Sequence, residues 1–405
     1  MPFPSRDPLS DVDFGLDLAP DSPILPGEAF HREMARLRAS HRLAPVRFGE
    51  ATIPLITRYA DLDAAFRNDA ELPAGPTYAM SIEPCQGVTF ESLDGPEHSL
   101  LRHLSTQGLH KRSVARFAEH RIPALAHEVI DGFAARGEAD LVADFTARFP
   151  FLVFGVRMGL PLDKAHRFMD WAFDILTYPV DHAAGLAAAA ELSTYTAPVL
   201  AERRREPADD LLSLMAHAER GGRRLSDEEI FSHVRALFSA GATTTFHGLG
   251  NTLYAALSHP ELLERLRKEP ERIPAAVDEM LRWEPPLGVL PRLAPHDAQV
   301  AGEVVPAGTL LLFGIASANR DPEVYPEPDR FDIDRRPQRL LTFGFGSHYC
   351  PGVHLAKAQI AVGIRVLLER LSELRLVRPE EALPQGSVMR GPQALAVEFA
   401  ATHPR

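Results

Sequence analysis

One uninterrupted helical pattern constrains this chain more than any other feature. It opens at Ser226, where Glu229 three residues on completes a capping box and Asp227 and Glu228 suit the positive end of a helix dipole. Apolar residues then recur at three and four until His259-Pro260, a stop signal. The span is roughly 33 residues, or ~50 Å at about 1.5 Å per residue. A helix this long crosses a whole domain, so the rest of the fold has to be built around it.

The remainder reads as mainly α with a minor β region. Between residues 26 and 58 a helical segment leads into a strand-like one at 46–57. From roughly 96 to 285 the pattern is nearly all helical. Prolines and glycines then crowd the chain, and short strands are predicted at 299–305 and 310–315. A last helix runs from Val353 to about Leu371, and the tail reads as short strands and turns. With no internal repeat or low-complexity linker, the expectation is one domain over residues 1–405.

Composition narrows the function. A net charge of −12 argues against general nucleic-acid binding, which wants a basic face. With only Cys85 and Cys350, a disulfide framework is implausible and a reducing cytoplasm is the default location. The first ~25 residues are acidic and proline-rich, without a signal pattern, and are expected to be extended. No stretch approaches the ~18 apolar residues of a membrane span, so no anchor and no membrane partner are expected.

Residues 343–352 read Phe-Gly-Phe-Gly-Ser-His-Tyr-Cys-Pro-Gly. Physically, a glycine-rich turn delivers Cys350 to the start of a helix, whose N-terminus and free backbone N–H groups favour a thiolate. Gly344, Gly346 and Gly352 permit close approach to a flat ligand. A cysteine so placed can be a buried small hydrophobe, a nucleophile or an iron ligand. No protease-like Cys–His–Asn neighbourhood is readable, and Cys85 has no comparable frame.

Phe343, Gly346, His348, Cys350 and Gly352 resemble the heme-binding loop of the cytochrome P450 family, Phe-x-x-Gly-x-(Arg/His)-x-Cys-x-Gly. The resemblance implies heme b, with Cys350 as the metal ligand, His348 toward a propionate and Phe343 near the sulfur. It also implies the single-domain P450 fold, with the long central helix crossing the heme and the Cys loop on the proximal side.

Weaker motifs follow in the family's order. Glu279 and Arg282 share one helix face, a pattern that also occurs at Glu33/Arg36 and Glu202/Arg205 and means little alone. The resemblance assigns Glu279, Arg282 and Arg330 to a buried structural network, and Asn319-Arg320-Asp321-Pro322 to fold determination. Heme propionates need cationic clamps. The resemblance supplies His98 and Arg102 as a His-x-x-x-Arg motif, and Arg292 as a further clamp.

The long helix carries Ala240-Gly241-Ala242-Thr243-Thr244-Thr245 at its middle. Threonine hydroxyls can bond back to carbonyls and bend a helix, and Gly241 opens a local groove beside the cofactor. The family pattern is (Ala/Gly)-Gly-x-(Asp/Glu)-Thr-(Thr/Ser), and Thr243 replaces the acid. Oxygen activation in this family draws two protons, usually through that acid and the adjacent alcohol, here Thr244. Three routes stay open: water through Thr243, a relay via His247, or hydrogen peroxide as oxidant.

The implied activity is a monooxygenase acting on a small-to-medium hydrophobic substrate by hydroxylation or O-dealkylation. Electrons would come from a separate ferredoxin with an NAD(P)H-dependent reductase, docking near Lys111, Arg112 and Lys357. Family topology places Phe173, Leu237, Ala240, Val289, Leu290, Val388 and Met389 on the pocket, with Tyr78 and Glu83 as polar points. A monomer is expected. Competing readings are a peroxygenase, a heme-thiolate sensor without turnover, and a helical protein without heme.

Overall fold

The computed structural model describes residues 16–17, 25–48, 51–335 and 339–402. The expectation of an extended N-terminus lies outside the described residues, apart from Leu16–Asp17, a short strand pairing with Phe48 and Arg47.

The long helix runs Asp227–Leu257, 31 residues, and both halves of its capping box form. The Glu229 N–H donates to the Ser226 hydroxyl at 3.2 Å, and the Ser226 N–H donates to the Glu229 carboxylate at 2.8 Å. Val234, Leu237, Phe238, Phe246, Leu249 and Leu253 are buried along it. Each such side chain contributes about 1.5–3 kcal/mol relative to exposure. The helix packs on Phe149–Met158, Phe168–Leu176, Ile273–Trp283 and Val353–Arg370, so helices surround it on several sides. Its expected ends agree with the structure because capping and the Pro260 stop are local signals.

The main sheet has five strands, in the order Leu16–Asp17, Leu43–Phe48, Ala51–Ile56, Thr309–Phe313 and Leu290–Ala294. The pairing of Ala51–Ile56 with Thr309–Phe313 is parallel and the others are antiparallel. Several expected strands need correction. Residues 46–57 are not one strand but parts of a hairpin, with Val46 opposite Ile53. Residues 299–305 likewise fold as a hairpin of Ala298–Val300 and Glu303–Val305, turned at Ala301 and Gly302, both with positive φ. Thr309–Phe313 ends before Ile315, which opens a short helix. Inside the stretch read as helical, Glu138–Asp140 is a strand joined to Ala396–Glu398, an edge whose partner lies too far along the chain for local periodicity to register.

Two buried ion networks brace the helices. Arg282 donates to both Glu279 oxygens at 2.7 and 2.9 Å, with both side chains fully buried. The third member is Arg335, whose Nε lies 3.2 Å from Glu279 Oε1. Arg330, expected there, is 62% exposed and pairs with Glu327, while its carbonyl accepts from Arg282 at 3.3 Å. The turn after Pro328 directs Arg330 outward and brings the chain back inward at Arg335.

The second network was not read from the sequence. Buried Glu284 accepts from Arg390 at 2.6 Å and lies 2.9 Å from His31. Burial alone would raise this carboxyl, but Arg390 and His31 outweigh it and hold Glu284 at about 2. Arg390 also donates to the Leu25 and Gly27 carbonyls, fastening the N-terminal segment to the tail. Among the described residues, no helix is long and apolar enough to cross a membrane.

Candidate functional site

The long helix and the cysteine loop both border one cavity of about 220 Å³. Leu237, Ala240, Gly241, Thr244, Thr245 and Gly248 face it from the helix, and the stretch from Phe343 to Gly352 supplies another part of its wall.

The cysteine loop is set by its glycines. Gly344 and Gly346 have φ of 67° and 81°, and a Cβ on Gly346 would stand 2.5 Å from the Phe66 carbonyl oxygen. The turn closes with the Cys350 N–H donating to the Phe343 carbonyl at 3.0 Å, just ahead of the helix Val353–Arg370. Burial pushes the Cys350 thiol up to about 11, although the Gly352 and Val353 N–H groups and Arg102 pull it down. The helix end thus favours the thiolate against burial, and a metal cation at the sulfur would favour it further.

Basic groups converge beside the loop. The rings of His98 and His348 stack with centroids 4.1 Å apart. Arg102 donates to the Tyr349 carbonyl through one nitrogen, and its other terminal nitrogen is buried without a partner. Arg292 is buried on the cavity wall with Nε unpartnered, and both ring nitrogens of His98 are likewise unpartnered. His348 Nε2 lies 3.2 Å from Asp94 Oδ1, and Asp94 also accepts the Ala74 and Gly75 N–H groups. Burial, then the charges of His348 and Arg102, holds His98 down to about 4. Buried donors left unmet each cost roughly 1–3 kcal/mol. This cluster fits the carboxylates of a flat anionic cofactor next to a cysteine ligand. Arg292 and His348 line the cavity, whereas His98 and Arg102 stand behind it.

On the long helix, Thr244 faces the cavity with its hydroxyl donating to the Ala240 carbonyl at 2.7 Å. Thr243 does not: it is fully buried, and its hydroxyl donates to the Ser239 carbonyl at 2.7 Å. The water route through Thr243 therefore has no opening onto the cavity wall. His247 lies edge-on to Phe246 and Phe173, off the cavity lining, and burial holds it down to about 3. Its relay loses its geometric basis. Gly241 is fixed by packing, since a Cβ there would stand 2.4 Å from the Phe154 ring.

Of the expected substrate contacts, Leu237, Ala240 and Leu290 line the cavity. Phe173, Val289, Val388 and Met389 do not: they are buried in the apolar core. Tyr78 is on the lining, and the carboxyl found there is Glu91 in place of the expected Glu83. Glu91 escaped notice because a lone acid in a loop has no spacing signal.

The family model described as Cytochrome P450 matches residues 162–399. The chain belongs to the cytochrome P450 family. It is a heme b enzyme of the monooxygenase class, with the mainly helical P450 fold. It is 36% identical to the mycinamicin IV hydroxylase/epoxidase of Micromonospora griseorubida, over 85% of this chain and 88% of that protein. It is 32% identical to the polyketide biosynthesis cytochrome P450 PksS of Bacillus subtilis, over 92% and 97%. The solved cytochrome P450 CYP109Q5 of Chondromyces apiculatus superposes with a TM-score of 0.84 at 29% identity, covering 95% of this chain and 98% of that one.

Proposed function

We propose that Cys350 is the thiolate ligand of heme b and that this P450 inserts one oxygen atom from O2 into a small-to-medium hydrophobic substrate. The supporting observation is that Cys350, Thr244 and Arg292 border a single, largely apolar cavity. The bound heme supplies oxygen activation. With heme bound, Arg292, Arg102, His98 and His348 would hold the propionates, and Phe343 would pack by the sulfur. Thr244 presents a hydroxyl that can exchange its bond to Ala240 for one to a guest or water. Leu237, Ala240 and Leu290 exclude water and position the substrate. Relatives named as a steroid C26-monooxygenase and a vitamin D(3) 25-hydroxylase, each 32% identical, are consistent with an apolar substrate.

Electrons come from a separate ferredoxin and NAD(P)H-dependent reductase in this reading, with Lys111, Arg112 and Lys357 on the docking face. Lys357 meanwhile pairs with Asp278 at 2.6 Å. The protein acts as one catalytic domain, a monomer in the cytoplasm. A peroxygenase is the second reading. It is favoured by one observation: from Ile230 to Leu257 the long helix contains no carboxylate.

The test is the absorption spectrum of the reduced, carbon-monoxide-bound protein, followed by product formation with ferredoxin and NADH against peroxide. A red-shifted thiolate band that is lost in Cys350→Ala and kept in Cys85→Ser supports the assignment. Its absence from the wild type refutes it.

A further inference from the structure

The cavity wall carries one acid that oxygen chemistry at Thr244 does not use. Glu91 stands in a short helical turn, Phe90–Ser92, held by a capping box between Thr89 and Ser92. The Glu91 N–H donates to the Thr89 hydroxyl at 3.2 Å. Phe90 is buried and stacks on His233 at 5.8 Å, and its own N–H donates to His233 Nε2 at 3.3 Å. The backbone on both sides of Glu91 is thus pinned, which fixes the direction in which its side chain leaves the main chain. It points into the cavity that Leu237, Ala240, Leu290 and Phe154 line with apolar surface.

Among the described residues, the Glu91 carboxylate takes no hydrogen bond and no ion pair. Arg102 acts on it through space and spends one nitrogen on the Tyr349 carbonyl. Glu91 is partly exposed, and it is open to a donor entering the cavity it lines. Tyr78 is another polar group on the lining, and a phenol cannot neutralise a carboxylate.

We infer that Glu91 is a substrate-anchoring carboxylate that selects hydrophobic molecules bearing one basic nitrogen, binding the ammonium while the apolar body lies along Leu237, Ala240 and Leu290. The inference deepens the monooxygenase reading and rests on it, since it concerns the substrate side of the same cavity. Burial pushes the Glu91 carboxyl up to about 7, and a neighbouring cation favours its charged form. Opposite charges attract more strongly in a poorly hydrated cavity than in water, and a tenfold or greater preference is the expected scale. Glu91 is a specificity residue here and takes no part in bond breaking.

The experiment uses the heme-loaded protein at pH 8 and three probes of equal chain length: decyltrimethylammonium, decanol and decanoate. The quaternary cation cannot bind iron through nitrogen, so calorimetric affinities report the pocket alone. Wild type is expected to bind the cation about tenfold more tightly than decanol and to bind decanoate most weakly. Glu91→Gln should abolish the cation preference, leave decanol within about twofold, and improve decanoate. The reduced, carbon-monoxide-bound spectrum is recorded for both proteins. With the thiolate band present, equal affinities for cation and decanol in wild type, or a preference surviving in Glu91→Gln, overturn the anchoring role and leave the Cys350 reading standing. A wild type without the band overturns both.

Discussion

Glu279 Oε1 and Arg335 Nε lie 3.2 Å apart across 56 residues of sequence, and this contact closes the network begun by Arg282. The carboxylate also accepts the Asp332 N–H at 3.0 Å, so a single buried acid fixes the loop that leads toward the cysteine. Arg335→Ala is expected to destabilise the protein by about 3–5 kcal/mol, because a fully buried charge loses a partner. Arg330→Ala should cost about 0.5 kcal/mol or less, as befits an exposed ion pair. Urea midpoints of the two variants check this. Equal shifts would mean that the network has been assigned to the wrong arginine.

The two central threonines should separate in function. Thr243→Val removes a hydroxyl that only caps the Ser239 carbonyl, so product formed per electron consumed should stay within about twofold of wild type. Thr244→Ala removes the hydroxyl on the cavity wall and should divert a larger share of electrons to peroxide and water. Measuring NADH consumed, peroxide released and product formed distinguishes them. A larger loss of coupling in Thr243→Val than in Thr244→Ala would contradict the geometry.

Acid should weaken the fold through its buried histidines. Burial depresses His233 to about 4 and His247 to about 3, against an ordinary value of 6.5. The unfolded chain therefore takes up protons that the folded chain refuses. Stability is full above about 6.5 and falls as pH drops toward 4. Glu284, held at about 2 from an ordinary 4.5, adds a loss of the same sign below pH 4.5. Melting temperatures measured from pH 7.5 to 4.5 should decline, and His247→Leu should flatten the decline. An unchanged slope in that variant would remove His247 from the account.

Gly346→Ala is expected to disrupt the cysteine loop from within. The residue has φ 81°, and the new methyl would meet the Phe66 carbonyl at 2.5 Å. Left-handed strain alone costs about 1–3 kcal/mol, before the clash. Purified protein should carry less heme per chain than wild type, measured as the Soret-to-protein absorbance ratio. Gly221→Ala, at a positive φ with nothing within 4 Å, controls for strain without the clash and should load heme normally.

Local signals in the sequence carried much of this structure. The Ser226–Glu229 box and Pro260 gave both ends of the long helix, and the Phe343–Gly352 spacing gave the cysteine loop. What stayed hidden depends on distant partners. Nothing near Arg335 distinguishes it from Arg330, because the choice is made by the direction of a turn. Glu284 and Arg390 lie 106 residues apart without a motif, and Val388 and Met389 look like lining residues until the core closes over them. Glu91 belongs to the same class: its chemistry comes from what surrounds it.

The hydroxyls of Ser232, Ser239, Thr243, Thr244, Thr245 and Thr252 each donate to the carbonyl four residues back along the long helix. Those carbonyls therefore hold two bonds, one from the backbone and one from a side chain. When the helix flexes, a stretched backbone bond leaves its oxygen still satisfied, so bending costs less there than in an alanine-rich helix. The middle of the long helix, where it borders the cavity, is thereby easier to bend than its length implies.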